Sequence, residues 1–228
     1  MVDMSSPTPL TVAVVGGAGQ IARLLHPLLL DAGHTPVALV RRSEQAQELG
    51  EQGIGTRHLD IEADDVDAFA AAFEGCDAVV FAAGGGPDGN AERKRTVDLE
   101  GSTKSADAAV RAGVRRFVQV SAIGVDAPVA ADTDPVWRAY VEAKRDADAH
   151  LRRSDLDWTV IRPGRLTDDA ATGSVALGSD VERGDVTRAD VAAVLLAVLE
   201  DDRAIRQQWN LVGGDTPVDQ AVERALQD

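Results

Sequence analysis

The sequence predicts an α/β fold in which a doubly wound, parallel β-sheet carries helices on both faces. Three observations support this. Short β-branched runs alternate with longer helical stretches as far as residue 163. Most of those runs are continuously apolar, as strands are when helices cover both sides of a sheet. Glycines stand where helical patterns stop, the usual place for a chain to leave a helix.

In order, the predicted strands are "TVAVV" (11–15), "PVALV" (36–40), "TRHLDI" (56–61), "DAVVFAA" (77–83), "RRFVQVS" (115–121) and "DWTVIRP" (157–163). Helices are predicted over Gln20–Ala32, Ser43–Gln52, Asp64–Phe73, Arg93–Ala112 and Pro135–Arg153. Ser43 and Asp64 read as start signals, and Gly33, Gly53, Gly75 and Gly113 as stop signals. From Gly164 the rhythm changes. "GRLTDDAATGSVALGSDVERGD" is rich in Gly, Ser, Asp and Thr and reads as a long loop, with or without a small hairpin, of the kind that covers a pocket. A helix (Arg188–Glu200), a short strand (Gln208–Val212) and a final helix (Thr216–Leu226) follow. With neither repeats nor a low-complexity linker, residues 1–228 read as one domain, a core over about 11–163 with a small C-terminal lobe over 164–228.

Composition narrows the function. The 228 residues are 44% hydrophobic, enough for a globular core, and carry a formal net charge of −15. That charge repels nucleic acid and anionic membranes, so neither is expected as a partner, and any anionic ligand needs a local positive site. Cys76 is the single cysteine, which excludes an internal disulfide and fits a reducing cytoplasm. "MVDMSSPTPL" lacks the basic start and apolar stretch of a signal peptide, and the longest apolar run, Val191 to Leu199, is too short to span a bilayer. His26, His34, His58 and His150 are scattered, so no metal site is expected.

The first strand runs into "VVGGAGQIA", with Gly16, Gly19 and Ala22 in a GxxGxxA spacing before an amphipathic helix. Gly16 suits a tight turn, Gly19 lets backbone approach a pyrophosphate, and Ala22 lets helix and sheet pack closely. The helix N-terminus then offers unpaired N–H groups to that anion. Gly16, Gly17, Ala18, Gly19, Gln20 and Ile21 are therefore candidate dinucleotide contacts. The second strand ends "ALVRRS", placing Arg41 and Arg42 where an NAD site usually has an acid. Arginine there grips a 2′-phosphate, which favours NADP over NAD, although two arginines also simply solvate a strand end. "HLDI" brings Asp60 and Ile61 to the third strand's end, where Asp60 either bonds an adenine amino group or caps the next helix. Small residues after the fourth strand, Ala82, Ala83 and Gly84, leave room for a ribose.

With "ALVRR", "DAVVFAAG", "AAVRAGVRRFVQVSAIG", "YVEAK", "LDWTVIRPGRLTD" and "TRADVA" added to the glycine turn, the chain resembles the atypical short-chain dehydrogenases/reductases over nearly its whole length. The similarity is to NmrA-like NADP-binding proteins and biliverdin-IXβ/flavin reductase-like proteins. It implies a Rossmann core, a nicotinamide cofactor and a Ser, Tyr-x-x-x-Lys catalytic set. Tyr140 and Lys144 match the second part and share one face of the helix Pro135–Arg153. An ammonium one turn from a phenol favours phenolate and lowers its pKa, which suits acid–base work. The resemblance also gives Lys144 the nicotinamide ribose, and Ser121, at the fifth strand's end, the polarising hydroxyl. It sets Pro163 and Gly164 beside the nicotinamide, with Thr167 in reach of a ligand. Two positions depart from the family: Ala122 follows Ser121 where related chains have a second serine, and Asp98 stands where longer relatives often have Asn.

Three further residues are open. Lys104 either reaches the pocket or is solvated, Arg188 either faces the pocket or pairs with Asp190, and Trp137 either packs or lines a substrate pocket. The expected activity is an NADP-dependent reduction of a small carbonyl or conjugated compound, with Tyr140 as acid/base. The alternative is a catalytically silent NADP-binding regulator. A sugar-nucleotide epimerase is disfavoured, since the region after Gly164 is small for that substrate lobe. The oligomeric state is not legible.

Overall fold

The computed structural model describes residues 8–86 and 89–227, so most of the stretch read against a leader lies outside the described residues. It opens with β1 (Thr11–Val15), α1 (Gln20–Asp31), β2 (Thr35–Val40), α2 (Ser43–Glu51), β3 (Gly55–His58), α3 (Val66–Ala72) and β4 (Ala78–Phe81). A short α4 (Ala91–Arg93) runs through a π-helix (Lys94–Gly101) into α5 (Ser102–Ala112), followed by β5 (Arg116–Val120), α6 (Pro135–Arg153) and β6 (Asp157–Pro163). The remainder holds β7 (Arg165–Thr167), β8 (Ser174–Gly178), β9 (Asp185–Thr187), α7 (Arg188–Leu199), β10 (Gln207–Gly213), β11 (Thr216–Pro217) and α8 (Val218–Ala225).

Nine strands form one sheet in the order β11-β8-β10-β6-β5-β4-β1-β2-β3. From β3 through β10 every neighbour pair is parallel, and β8 lies antiparallel to both β10 and β11. This is the Rossmann-like architecture anticipated. Alternate residues of one strand feed opposite layers: Val12 and Val14 join the core that includes α1, α7 and α8. Ala13 and Val15 join the core of α3, α5 and α6. Two-sided burial is why these strands read as unbroken apolar runs. Among the described residues no helix is long and apolar enough to cross a membrane.

The region after Gly164 corrects the expectation of a structureless loop. β8 extends the main sheet, and β7 with β9 forms a separate parallel pair, not a hairpin. Period-2 signals of three to five residues are lost in so much Gly, Ser and Asp, and sheet pairing supplies what local pattern does not. Asp190, at the start of α7, anchors the loop by accepting from the N–H groups of Thr172 and Gly173 and from the Thr172 hydroxyl. Two smaller corrections concern helix ends. Asp65, not Asp64, caps α3 by accepting from Ala68 N–H, and the predicted single helix over 93–112 is π-helical over Lys94–Gly101.

Candidate active site

The strand order reverses between β1 and β4, and there the chain ends of both strands open a crevice. The cavity measures about 1110 Å³ and extends from the β2 and β3 ends to α6. That exceeds the roughly 300–1,000 Å³ of common small-ligand clefts, so an extended molecule fits.

Its floor is the glycine turn. Gly16 has φ +77°, and a Cβ there would stand 2.8 Å from the Ala83 Cα, so only glycine lets β1 and β4 diverge at this point. Gly19 N–H donates to Gly16 O at 2.8 Å and closes the turn. α1 then begins with no side-chain cap and no acid in its first turn. Its leading N–H groups are left for an anion, helped by the helix dipole. Two α1 side chains brace the turn from behind: Arg23 Nε donates to Ala18 O at 3.0 Å, and His26 Nε2 to Gly17 O at 2.8 Å.

Burial holds His26 below its ordinary value of 6.5, against the opposing hydrogen bond to Gly17. The unfolded chain therefore takes up this proton first as pH falls, so the contribution of His26 to stability is lost on acidification below about 6.5. The unfolding free energy, measured with urea at pH 7.5 and 5.5, is expected to fall less in His26→Gln than in the wild type. An equal fall in both proteins would refute this role.

Most predicted residues converge on the cavity wall: Gly16, Ala18, Gly19, Gln20, Ile21, Arg41, Arg42, Asp60, Ile61, Ala82, Ala83, Gly84, Ser121, Tyr140 and Lys144. Gly17, Pro163 and Gly164 do not. Gly17 faces β2, where a Cβ would stand 2.7 Å from that of Ala38. Gly164 lies under the Gly184 carbonyl, and the Pro163 carbonyl accepts from Ile123 N–H. These residues shape backbone crossings, which sequence spacing does not separate from ligand contact. Thr167 also lies off the wall, whereas Trp137 and Arg188 line it. Arg188 pairs with Asp168 at 2.7 Å, not with Asp190. Lys104 is committed elsewhere, donating to the carbonyls of Ile61 and Asp64.

At one end, Arg41 is half exposed, with Nη1 3.8 Å from both Asp60 Oδ2 and Glu62 Oε2. Asp60 Oδ1 accepts from the N–H groups of Glu62 and Ala63, so it caps its own turn. Gln45 and Arg93 also line this end.

At the other end stand Tyr140 and Lys144. Lys144 is buried; its Nζ donates to Val120 O at 3.1 Å and lies 3.2 Å from Asp98 Oδ1. Burial alone would lower the Lys144 pKa, yet Asp98, Tyr140 and Asp148 outweigh it and hold the ammonium above its ordinary value. For Tyr140 the direction runs against the sequence expectation. Burial raises its pKa above 10, and Asp98 and Asp148 oppose the lowering by Lys144. The phenol thus stays protonated and is equipped to donate.

Ser121 is tied from below. Its Oγ donates to Asp148 Oδ2 at 2.8 Å, and Arg162 Nε donates to the same oxygen at 2.9 Å. Gln119 Nε2 supplies Asp148 Oδ1 at 2.6 Å. Arg162 Nη2 is also 2.8 Å from Oδ2, an ion-pair distance, though it is off the direction of a hydrogen bond. With its proton so placed, Ser121 shows the cavity lone pairs and no donor. Sequence reasoning missed Asp148, Lys94 and His26. The signal for Asp148 was present: it falls four residues after Lys144 on the buried stripe of α6 that continues to Leu151.

Residues 16–202 match a family model described as NAD(P)H-binding. The chain belongs to that family and is an atypical short-chain dehydrogenase/reductase. Among curated proteins it is 35% identical over 214 residues to the uncharacterised sugar epimerase YhfK of Bacillus subtilis, covering 93% of this chain and 99% of the relative. A solved Bacillus halodurans structure, provisionally named an NAD-dependent epimerase/dehydratase, is 38% identical with a TM-score of 0.87, covering 94% and 99%. The anaerobillin reductase ChuY of Escherichia coli O157:H7 is 26% identical with a TM-score of 0.73, covering 90% and 98%.

Proposed function

We propose that this protein is an NADP-dependent reductase of small carbonyl or conjugated compounds. The observation that carries the reading is the Tyr140 phenol one helical turn from buried Lys144, in the wall of a glycine-floored cleft that two arginines also line. The diphosphate would lie over Gly16–Gly19 against the uncapped start of α1, the 2′-phosphate at Arg41 and Arg42, and the ribose of the nicotinamide at Lys144. When bound, the reduced nicotinamide supplies hydride. Tyr140 gives its proton to the substrate oxygen, and Lys144 stabilises the tyrosinate left behind. Trp137, with its ring 5.3 Å from that of Tyr140 and half exposed, offers a stacking face for a planar substrate.

NADPH should bind more tightly than NADH in fluorescence titration, and Arg41→Ala should remove most of the difference. One or two charge-assisted hydrogen bonds, each about 1.5–3 kcal/mol, correspond to a preference on the order of 10- to 100-fold or more. Equal affinities in the wild type would overturn the phosphate assignment. Screening aldehydes, quinones and flavins with NADPH tests turnover. NADPH binding without consumption by any of them would leave the nucleotide-binding regulator as the better reading.

A further inference from the structure

Asp98 sits where the sequence departs from longer relatives, and the structure gives it an unusual setting. It lies on the π-helix, 1% exposed, in the wall of the cavity. Oδ2 accepts from Gly85 N–H at 2.9 Å, and Oδ1 has Lys144 Nζ at 3.2 Å. A Cβ on Gly84 or Gly85 would stand 3.2 or 3.1 Å from its oxygens, so the loop after β4 is moulded around this carboxylate. Wider turns of π-helix within α-helices are frequent at functional sites. Here one places Lys94 and Asp98 both toward α6.

We propose that Asp98 is a positioning residue that commits the Tyr140–Lys144 pair to proton donation: by pairing with Lys144 out of solvent, it offsets part of the ammonium's pull on the phenol. An Asn in its place would hold the Gly85 N–H equally well but would leave Lys144 free to pull Tyr140 toward phenolate. The pair would then accept a proton at neutral pH, as oxidation of an alcohol requires. With Asp98 in place it delivers one, as reduction requires. The other charged groups around Tyr140 do not undo this. Lys94 Nζ is 5.7 Å from the ring centroid and donates to Gly86 O. Asp148 acts in the same direction as Asp98. Asp134 and Arg188 stand in the cavity wall, the latter paired with Asp168.

This inference rests on the reductase reading for its meaning but not for its test, because Tyr140 is the only tyrosine of the chain. Tyrosinate absorbance near 295 nm, followed by stopped-flow pH jumps with far-UV circular dichroism confirming the fold, reports one group with neither cofactor nor substrate present. The midpoint in Asp98→Asn should fall by about one pH unit or more relative to wild type, the scale of an opposite charge within about 4–6 Å. Asp98→Glu should stay near wild type, and Lys144→Met should rise. In the Lys144→Met background the Asp98→Asn shift should shrink to the carboxylate's own direct effect on the phenol. An unchanged or higher midpoint in Asp98→Asn, or a full-sized shift without Lys144, would overturn the proposal. If the titrations behave as expected but no carbonyl compound is reduced, the reductase reading fails and the role of Asp98 stands.

Discussion

Replacing Tyr140 with phenylalanine is expected to lower NADPH-dependent reduction by about 10²- to 10⁴-fold, the usual contribution of a positioned proton donor. Nucleotide affinity should be unchanged, because the phenol stands on α6 and not on the glycine turn proposed to hold the diphosphate. The loss should appear in kcat, since the proton moves only as charge develops on the substrate oxygen. Ser121→Ala makes the informative comparison. If Ser121 polarised the substrate, its removal would cost a similar factor. Its proton is directed at Asp148, so a smaller loss is expected, confined to ligands that donate a hydrogen bond to its lone pairs. A Ser121→Ala loss equal to that of Tyr140→Phe would show that the hydroxyl turns toward the substrate during the reaction. Full activity in Tyr140→Phe would remove the phenol from the chemistry altogether.

The layout of the cleft was legible because its causes are local. A glycine forced by the approach of Ala83 to Gly16, and strands buried on two sides, leave patterns within a few residues. The same holds for Tyr140 and Lys144, one helical turn apart. What decides their protonation is not local. Asp98 and Asp148 reach the pair from the π-helix and from the next turn of α6, and their effect depends on burial that no spacing reports. Helix spacing therefore points to the Tyr140–Lys144 pair but not to the direction in which its surroundings push the phenol. Gly17, Pro163 and Gly164 illustrate the converse limit. Small residues beside a site are needed where backbones cross, and only the fold tells a crossing from a contact.

Asp148→Ala should be the most destabilising substitution beneath the site, by about 3–5 kcal/mol, the range for removing one partner of a buried ion pair. Asp148 is wholly buried, and its carboxylate receives Gln119, Ser121 and Arg162, with the Arg162 side chain only 6% exposed. Alanine would strand all three donors, and an unpaired buried guanidinium is the costliest of them. Asp126, half exposed, keeps one contact with Arg162 at 2.6 Å and tempers the loss without replacing the buried oxygen. Asp148→Asn, which retains shape and one acceptor, should cost less than alanine, and a shift in urea midpoint with unchanged slope would locate both effects in the folded state. The asparagine variant carries a second consequence. With the negative charge removed, Ser121 is no longer drawn downward as strongly, and Tyr140, held protonated chiefly by burial, loses one of the two carboxylates that add to that effect. A folded Asp148→Asn protein should therefore show a lower tyrosine midpoint together with lower stability. Stability equal to wild type in Asp148→Ala would mean that water reaches Arg162 and that the buried network is not closed.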